Sequence, residues 1–105
     1  MTSAVIAGLE LEVDAEGFLA DHTKWNEDIA AEIARGEGIA ELTERHWAVV
    51  RFMRQEFSQT GSGPSIRALK NRGGIPTKEL YELFPGGPAK KAAKIAGIPK
   101  PHGCI

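Results

Sequence analysis

Thr43-Glu44-Arg45-His46-Trp47-Ala48-Val49-Val50-Arg51-Phe52-Met53-Arg54-Gln55-Glu56-Phe57 is the stretch on which the fold turns. Trp47, Val50, Met53, Arg54 and Phe57 recur at i, i+3, i+6, i+7 and i+10, the spacing of one face of an α-helix. Trp47, Val50, Met53 and Phe57 are therefore the expected core stripe. Thr43 is suited to cap the helix start, because its hydroxyl accepts a backbone N–H that has no partner inside the helix. Gly61-Ser62-Gly63-Pro64 ends the run.

Toward the N-terminus, Asn26 is placed to cap a shorter helix running to about Arg35. Glu27 and Asp28 fall in its first turn, where the helix dipole favours negative charge, and Gly36 sits where a C-terminal cap belongs. Ile29 and Ile33 give it an apolar face. Further upstream, Leu9, Leu11 and Val13 alternate with Glu10 and Glu12, the period of a half-buried strand, and Gly8 marks a turn before it. A short N-terminal hairpin follows, and it must pack on the helices, because a hairpin alone is marginal in water.

Toward the C-terminus, Pro64 suits the first turn of a third, short helix with Ile66 and Leu69, and Gly73-Gly74 stops it. Thr77 is expected to cap a fourth, with Leu80, Leu83 and Phe84 inward. Pro85-Gly86-Gly87-Pro88 breaks the chain before a strong helix former, Ala89-Lys90-Lys91-Ala92-Ala93-Lys94-Ile95-Ala96, which Gly97 closes. In Ile98-Pro99-Lys100-Pro101-His102-Gly103-Cys104-Ile105 the alternating prolines forbid helix and hold the segment extended. At roughly 3.3 Å per residue, its eight residues reach about 25 Å. The expected fold is mainly α: a small helical bundle with an N-terminal β-hairpin and a flexible C-terminal arm. Residues 1–97 form one helical domain and residues 98–105 a mobile arm.

The chain has 105 residues, 42% hydrophobic and 26% charged, as in an ordinary soluble domain. No run approaches the roughly 20 apolar residues that span a bilayer. The start, Met1-Thr2-Ser3-Ala4-Val5-Ile6-Ala7, has no basic lead, so no secretory signal and no membrane partner are expected, and the location is read as cytoplasmic. Net charge is −1 but divides unevenly. Residues 1–50 set Lys24, Arg35 and Arg45 against eleven acids, while residues 51–105 set ten Lys and Arg against Glu56, Glu79 and Glu82. Such asymmetry marks either a basic face for an acidic partner or two halves that neutralise each other in the fold.

Cys104 is the only cysteine. It has no internal disulfide partner, and one Cys with three scattered His is a poor zinc set, so neither metal nor cofactor is expected. Cys104 is either an incidental thiol or a reactive one. Gly103 leaves the neighbourhood of the sulfur uncrowded, and Lys94, Lys100 and His102 favour the thiolate, which the carboxylate at Ile105 opposes. Lys90, Lys91 and Lys94 are either a solvated helix face or part of a docking surface for an acidic donor, with Lys100, His102 and Gly103 completing the arm. Ser65-Ile66-Arg67-Ala68-Leu69-Lys70, a Gly73-Gly74 turn and Thr77-Lys78-Glu79-Leu80-Tyr81 also suit a helix-turn-helix, so a DNA-binding regulator is a competing assignment. Glu79 and Glu82 on the second of those helices speak against it. His46 falls in the first turn of the long helix, where it is expected to help pack the hairpin.

The tail carries a resemblance. Leu83-Phe84-Pro85-Gly86-Gly87-Pro88-Ala89-Lys90, Lys94-Ile95-Ala96-Gly97-Ile98-Pro99-Lys100-Pro101 and Gly103-Cys104-Ile105 resemble the C-terminal signature of the DsrC/TusE family of sulfur-relay proteins. Asp14-Ala15-Glu16-Gly17-Phe18-Leu19, Trp25-Asn26-Glu27, Glu37-Gly38-Ile39, His46 to Arg54, Pro64-Ser65-Ile66-Arg67 and Leu80-Tyr81 match its earlier motifs in order. The resemblance implies a persulfide carrier rather than a stand-alone catalyst. Its Cys104 would accept sulfur from a donor complex and present it to an acceptor enzyme. TusE members lead towards thiolation of the tRNA wobble uridine, so nucleic acid is met only indirectly. DsrC members serve sulfite reductase and related sulfur metabolism. DsrC proper has a second Cys at the position of Ala93, so the resemblance here implies one-cysteine chemistry of the TusE kind. The segment between Leu69 and Leu80 is shorter than in the family by about two helical turns.

Overall fold

The computed structural model describes residues 2–101. Strands β1 (Thr2–Ile6) and β2 (Leu9–Val13) pair antiparallel, with Thr2 opposite Val13 and Ile6 opposite Leu9. Ala7 and Gly8 both take positive φ, 53° and 79°, as a two-residue turn requires when it must match the twist of its strands. Leu11 and Val13 are buried between exposed Glu10 and Glu12, in the expected alternation. Leu9 lies on the same face but beside the turn, beyond the edge of the core, and is 46% exposed.

Five helices follow a single turn of 3-10 helix at His22–Lys24: α1 (Glu27–Gly36), α2 (Glu44–Thr60), α3 (Ile66–Asn71), α4 (Thr77–Leu83) and α5 (Pro88–Ile95). Asn26 caps α1, its side chain accepting from the Ile29 N–H at 2.9 Å. Thr43 caps α2 reciprocally with His46. The Thr43 hydroxyl accepts from the His46 N–H, and His46 Nδ1 accepts from the Thr43 N–H at 3.0 Å. His46 thus does the work usually given to Glu or Gln at this position.

α2 runs one turn further than Phe57 and stops at Gly61, whose φ of 78° is the left-handed cap glycine favours. Its buried side is His46, Val49, Val50, Met53 and Glu56, with Trp47 and Phe57 half-buried at the flanks. The face is therefore turned from the one expected. Hydrophobicity ranks Trp and Phe inward and His and Glu outward, but here both polar groups have partners. His46 Nε2 donates to the Leu83 carbonyl at 2.9 Å, and Glu56 pairs with Arg72. His46 meets Phe84 edge-on, ring centroids 5.2 Å apart, so it packs the end of α4. Thr77 does not cap α4. Pro76 takes the capping position without a side-chain bond, and Thr77 is the first helical residue.

α5 runs through the middle of the molecule, against α1, α2 and α4. Ala89, Ala92, Ala93 and Ala96 have no solvent exposure, and their small side chains let the other helices approach closely. Phe18, Ile29, Met53, Leu69, Leu80 and Phe84 fill the space around it. The core extends past Gly97. Ile98 is fully buried and its N–H bonds to the Ala93 carbonyl at 3.1 Å, and Pro101 is buried too. Of the expected arm at 98–105, Ile98 and Pro101 therefore pack on the body while Pro99 and Lys100 are exposed, and residues 102–105 lie outside the described residues.

Candidate functional site at the base of the C-terminal segment

A helix ends with carbonyls that have no partner inside it. At the end of α5 these are taken by side chains from distant segments. The Trp25 indole N–H donates to the Ile95 carbonyl at 2.8 Å. Arg54, on α2, donates one guanidinium nitrogen to the Ala96 carbonyl at 2.8 Å and another to the His22 carbonyl at 3.2 Å. The same guanidinium stacks 4.2 Å above the Trp25 ring, which adds a cation–π attraction. Burial pulls the Arg54 guanidinium below its usual range, yet an arginine starts so high that it stays charged.

Gly97 turns the chain out of this clamp. Its φ is 71°, and a Cβ there would sit 2.4 Å from Trp25 Cδ1, so position and conformation both demand glycine. Beyond it, the loop before α3 lies along the exiting chain. A Cβ on Gly63 would meet Ile98 Cδ1 and Pro101 Cγ at 3.3 Å. Trp25, Arg54, Gly97 and Gly63 thus fix where and in what direction residues 98–101 leave the body.

The expected docking lysines stand together on the exposed side of α5 and the segment after it, and they meet acids from the first half of the chain. Lys90 pairs with Glu16 at 2.7 Å, and Lys100 reaches the same carboxylate at 3.4 Å. Lys94 pairs with Glu37 at 3.0 Å, and Lys91 bonds the Glu37 carbonyl at 3.5 Å. The hydrogen bond from Lys90, more than any other contact, holds the Glu16 carboxyl below the usual carboxylate range, and Glu16 raises Lys90 in return. On this face the two oppositely charged halves neutralise each other. Cys104, Gly103 and His102 lie outside the described residues.

Sequence alone gives Trp25 no part beyond its place in the Trp25-Asn26-Glu27 motif and gives Arg54 no role. A signal for Arg54 was present: it falls in the same helical period as Val50 and Met53, and a charge in an apolar stripe implies a bonded partner. Nothing in the sequence near Trp25 points to a carbonyl 70 residues away. The helix-turn-helix pattern has a packing explanation. Glu79 on α4 is tied to Arg45 by two bonds of 2.7 Å, and Leu80 is buried. Among the described residues, no helix is long and apolar enough to cross a membrane.

Fold and site together define a small helical domain with an N-terminal hairpin that grips its own C-terminal segment at the base. The model of the family described as DsrC like protein matches residues 5–105. The Sulfurtransferase TusE of Salmonella paratyphi A is 45% identical, with 96% of this chain and 98% of that one covered. That alignment runs over 108 residues, more than the 105 of this chain, so the relative has residues that this chain lacks. Among solved structures, the oxidized gamma-subunit of the dissimilatory sulfite reductase (DsrC) from Archaeoglobus fulgidus is 37% identical with a TM-score of 0.79, over 99% of this chain and 100% of that one. A crystal structure described as dissimilatory sulfite reductase I (DsrI) is 36% identical with a TM-score of 0.87, at the same coverage. The chain belongs to the DsrC-like family.

Proposed function

We propose that this protein is a sulfur carrier, loaded as a persulfide on Cys104, and that it works as one station of a relay between a donor and an acceptor protein. The observation that carries this is the reach of the family match, which runs to residue 105 and so includes the chain's only cysteine. The gripped base supports it. Cys104 follows Pro101 by three peptide steps, about 10 Å at full extension, so the body limits where the sulfur can be presented.

The chemistry is thiol–persulfide exchange. The Cys104 thiolate attacks the outer sulfur of a donor persulfide. The donor's S–S bond breaks, its own thiolate leaves, and Cys104 becomes Cys–S–S⁻. An acceptor thiolate then attacks that outer sulfur, and the Cys104 thiolate is regenerated. One sulfane sulfur moves with no net oxidation, so neither metal nor cofactor is needed. Rates depend on thiolate fraction, leaving group and access.

Ala93, fully buried in α5, supplies no second thiol. The intramolecular disulfide chemistry of two-cysteine members is therefore closed to this chain, which favours a one-cysteine relay over a dissimilatory role. We assign the acceptor side to tRNA thiolation in the cytoplasm. DNA regulation is not favoured.

The test is direct. The protein is incubated with a persulfide-bearing cysteine desulfurase and analysed by intact mass. One added sulfur is expected on the wild type and none on Cys104→Ser or Cys104→Ala, with unchanged circular dichroism. An adduct on Cys104→Ala overturns the assignment. In a strain deleted for its own relay carrier, the wild type and not Cys104→Ser should restore 2-thiouridine in hydrolysed tRNA. Failure of the wild type there would assign the carrier to another acceptor.

A further inference from the structure

Any protein that exchanges sulfur with Cys104 must come within about 10 Å of Pro101, because three peptide steps allow no more. The surface inside that radius includes the loop in contact with Pro101 through Gly63. That loop is one wall of an open groove of about 440 Å³, bounded by the end of α2 and by α3, with Ser62, Ser65, Arg67, Asn71 and Arg72 among its lining residues.

The charge of this region is one-sided. Residues 57–78 contain Arg67, Lys70, Arg72 and Lys78 and no Asp or Glu. Glu56, at the groove's inner edge, is buried and committed to Arg72. Arg67 and Lys70 are exposed and make no ion pair among the described residues. The contrast with α5 is sharp, since Lys90, Lys94 and Lys100 are already paired with Glu16 and Glu37.

We propose that the groove between α2 and α3, and not the lysine face of α5, is where the relay partner docks, through an acidic segment whose carboxylates meet Arg67 in the groove, with exposed Lys70 on the same helix adding to the positive field. This rests on the sulfur-carrier assignment for the choice of partner. The Arg67 guanidinium, with Ser62, Ser65 and Asn71 lining the same groove, offers a carboxylate both charge and hydrogen bonds. Single-stranded RNA is the weaker match. Among the described residues no aromatic side chain lines the groove to stack a base, and Arg72 is already engaged.

Titration of the full ¹⁵N-labelled chain with a hexaglutamate peptide at low salt tests this. Amide shifts are expected at Ser62 to Arg72, weakening with salt. In Arg67→Glu/Lys70→Glu the affinity should fall about tenfold, as expected for reversing two exposed charges. Lys90→Glu should leave it unchanged. Shifts centred on Lys90–Lys94, or an affinity that survives the double reversal, would overturn the proposal. Tighter binding of a hexauridylate RNA than of the peptide would overturn the choice of partner. Loading of Cys104 by inorganic polysulfide needs no docking, so it should be equal in wild type and variant. Loss of loading in the wild type would instead count against the carrier assignment.

Discussion

Gly97 carries more constraint than its size suggests. It must hold a positive φ while Trp25 presses on the space where a Cβ would be. Gly97→Ala combines backbone strain with a contact no side chain tolerates, and should destabilise the protein by about 2 kcal/mol or more. Trp25→Phe keeps most of the apolar area but leaves the Ile95 carbonyl without its donor and weakens the stacking of Arg54, which should cost about 1–2 kcal/mol. Urea denaturation of each variant checks both values. Because the two residues touch, the double variant Trp25→Ala/Gly97→Ala should be less destabilised than the sum of its parts. Strict additivity would show that the contact does not matter. The glycine itself was legible, as the stop of a strong helix former. The tryptophan that makes it obligatory was not, since a contact between residues 25 and 97 leaves no local pattern.

At the scale of elements, the periodicity of α1, α2 and the hairpin was enough to place them, because their apolar spacing and their caps, Asn26 and Thr43, point the same way. Sequence pattern and structure part where tertiary bonds replace propensity. His46 and Glu56 went inward because Leu83 and Arg72 satisfy them. α4 begins after Pro76 without a side-chain cap, although Thr77 looked like one. α5 reads in sequence as a soluble alanine–lysine helix, yet it is the centre of the core. This has a chemical consequence for Ala93, the position at which the family's second cysteine is expected. Ala93→Cys would place a thiol where no solvent reaches. Its alkylation by iodoacetamide should be at least about a hundredfold slower than that of Cys104, since it must wait for local opening of the structure. Comparable rates at the two positions would mean that α5 opens readily. The added sulfur should also cost about 1–3 kcal/mol through overpacking.

The whole molecule offsets the uneven charge of its two halves through Glu16 and Glu37, each paired with a cation from the second half. Composition alone left open whether the halves neutralise each other or one of them faces a partner. The structure does the first on α5 and leaves Arg67 and Lys70 of α3 without ion pairs among the described residues. The Glu16 ties have a pH signature. A carboxyl held below its usual range in the folded state stabilises that state above its unfolded pKa, and the contribution is lost as pH falls through the lowered value. Glu79, held down by Arg45, behaves in the same way. Glu16→Gln should therefore lower Tm slightly at neutral pH, because the pair is exposed, and the difference should vanish in strong acid. A thermal series on both proteins from neutral to strongly acidic pH reads it. A difference that persists at the acid end would place the effect elsewhere than in the ion pair.

The clamp on α5 also bears on how the chain acquires its shape. The hairpin is made of neighbours and can form early. The bonds that hold the end of α5 join residues 70 and 42 positions apart, and Lys100 reaches Glu16 across 84. Contacts of such separation slow the search for the native state. During synthesis, α5 leaves the ribosome after all the other elements described, and until it arrives α1, α2 and α4 have no common centre to close upon. The faces of α1, α2 and α4 that meet α5 stay uncovered until then, and closure of the core and seating of the C-terminal segment become a single late event.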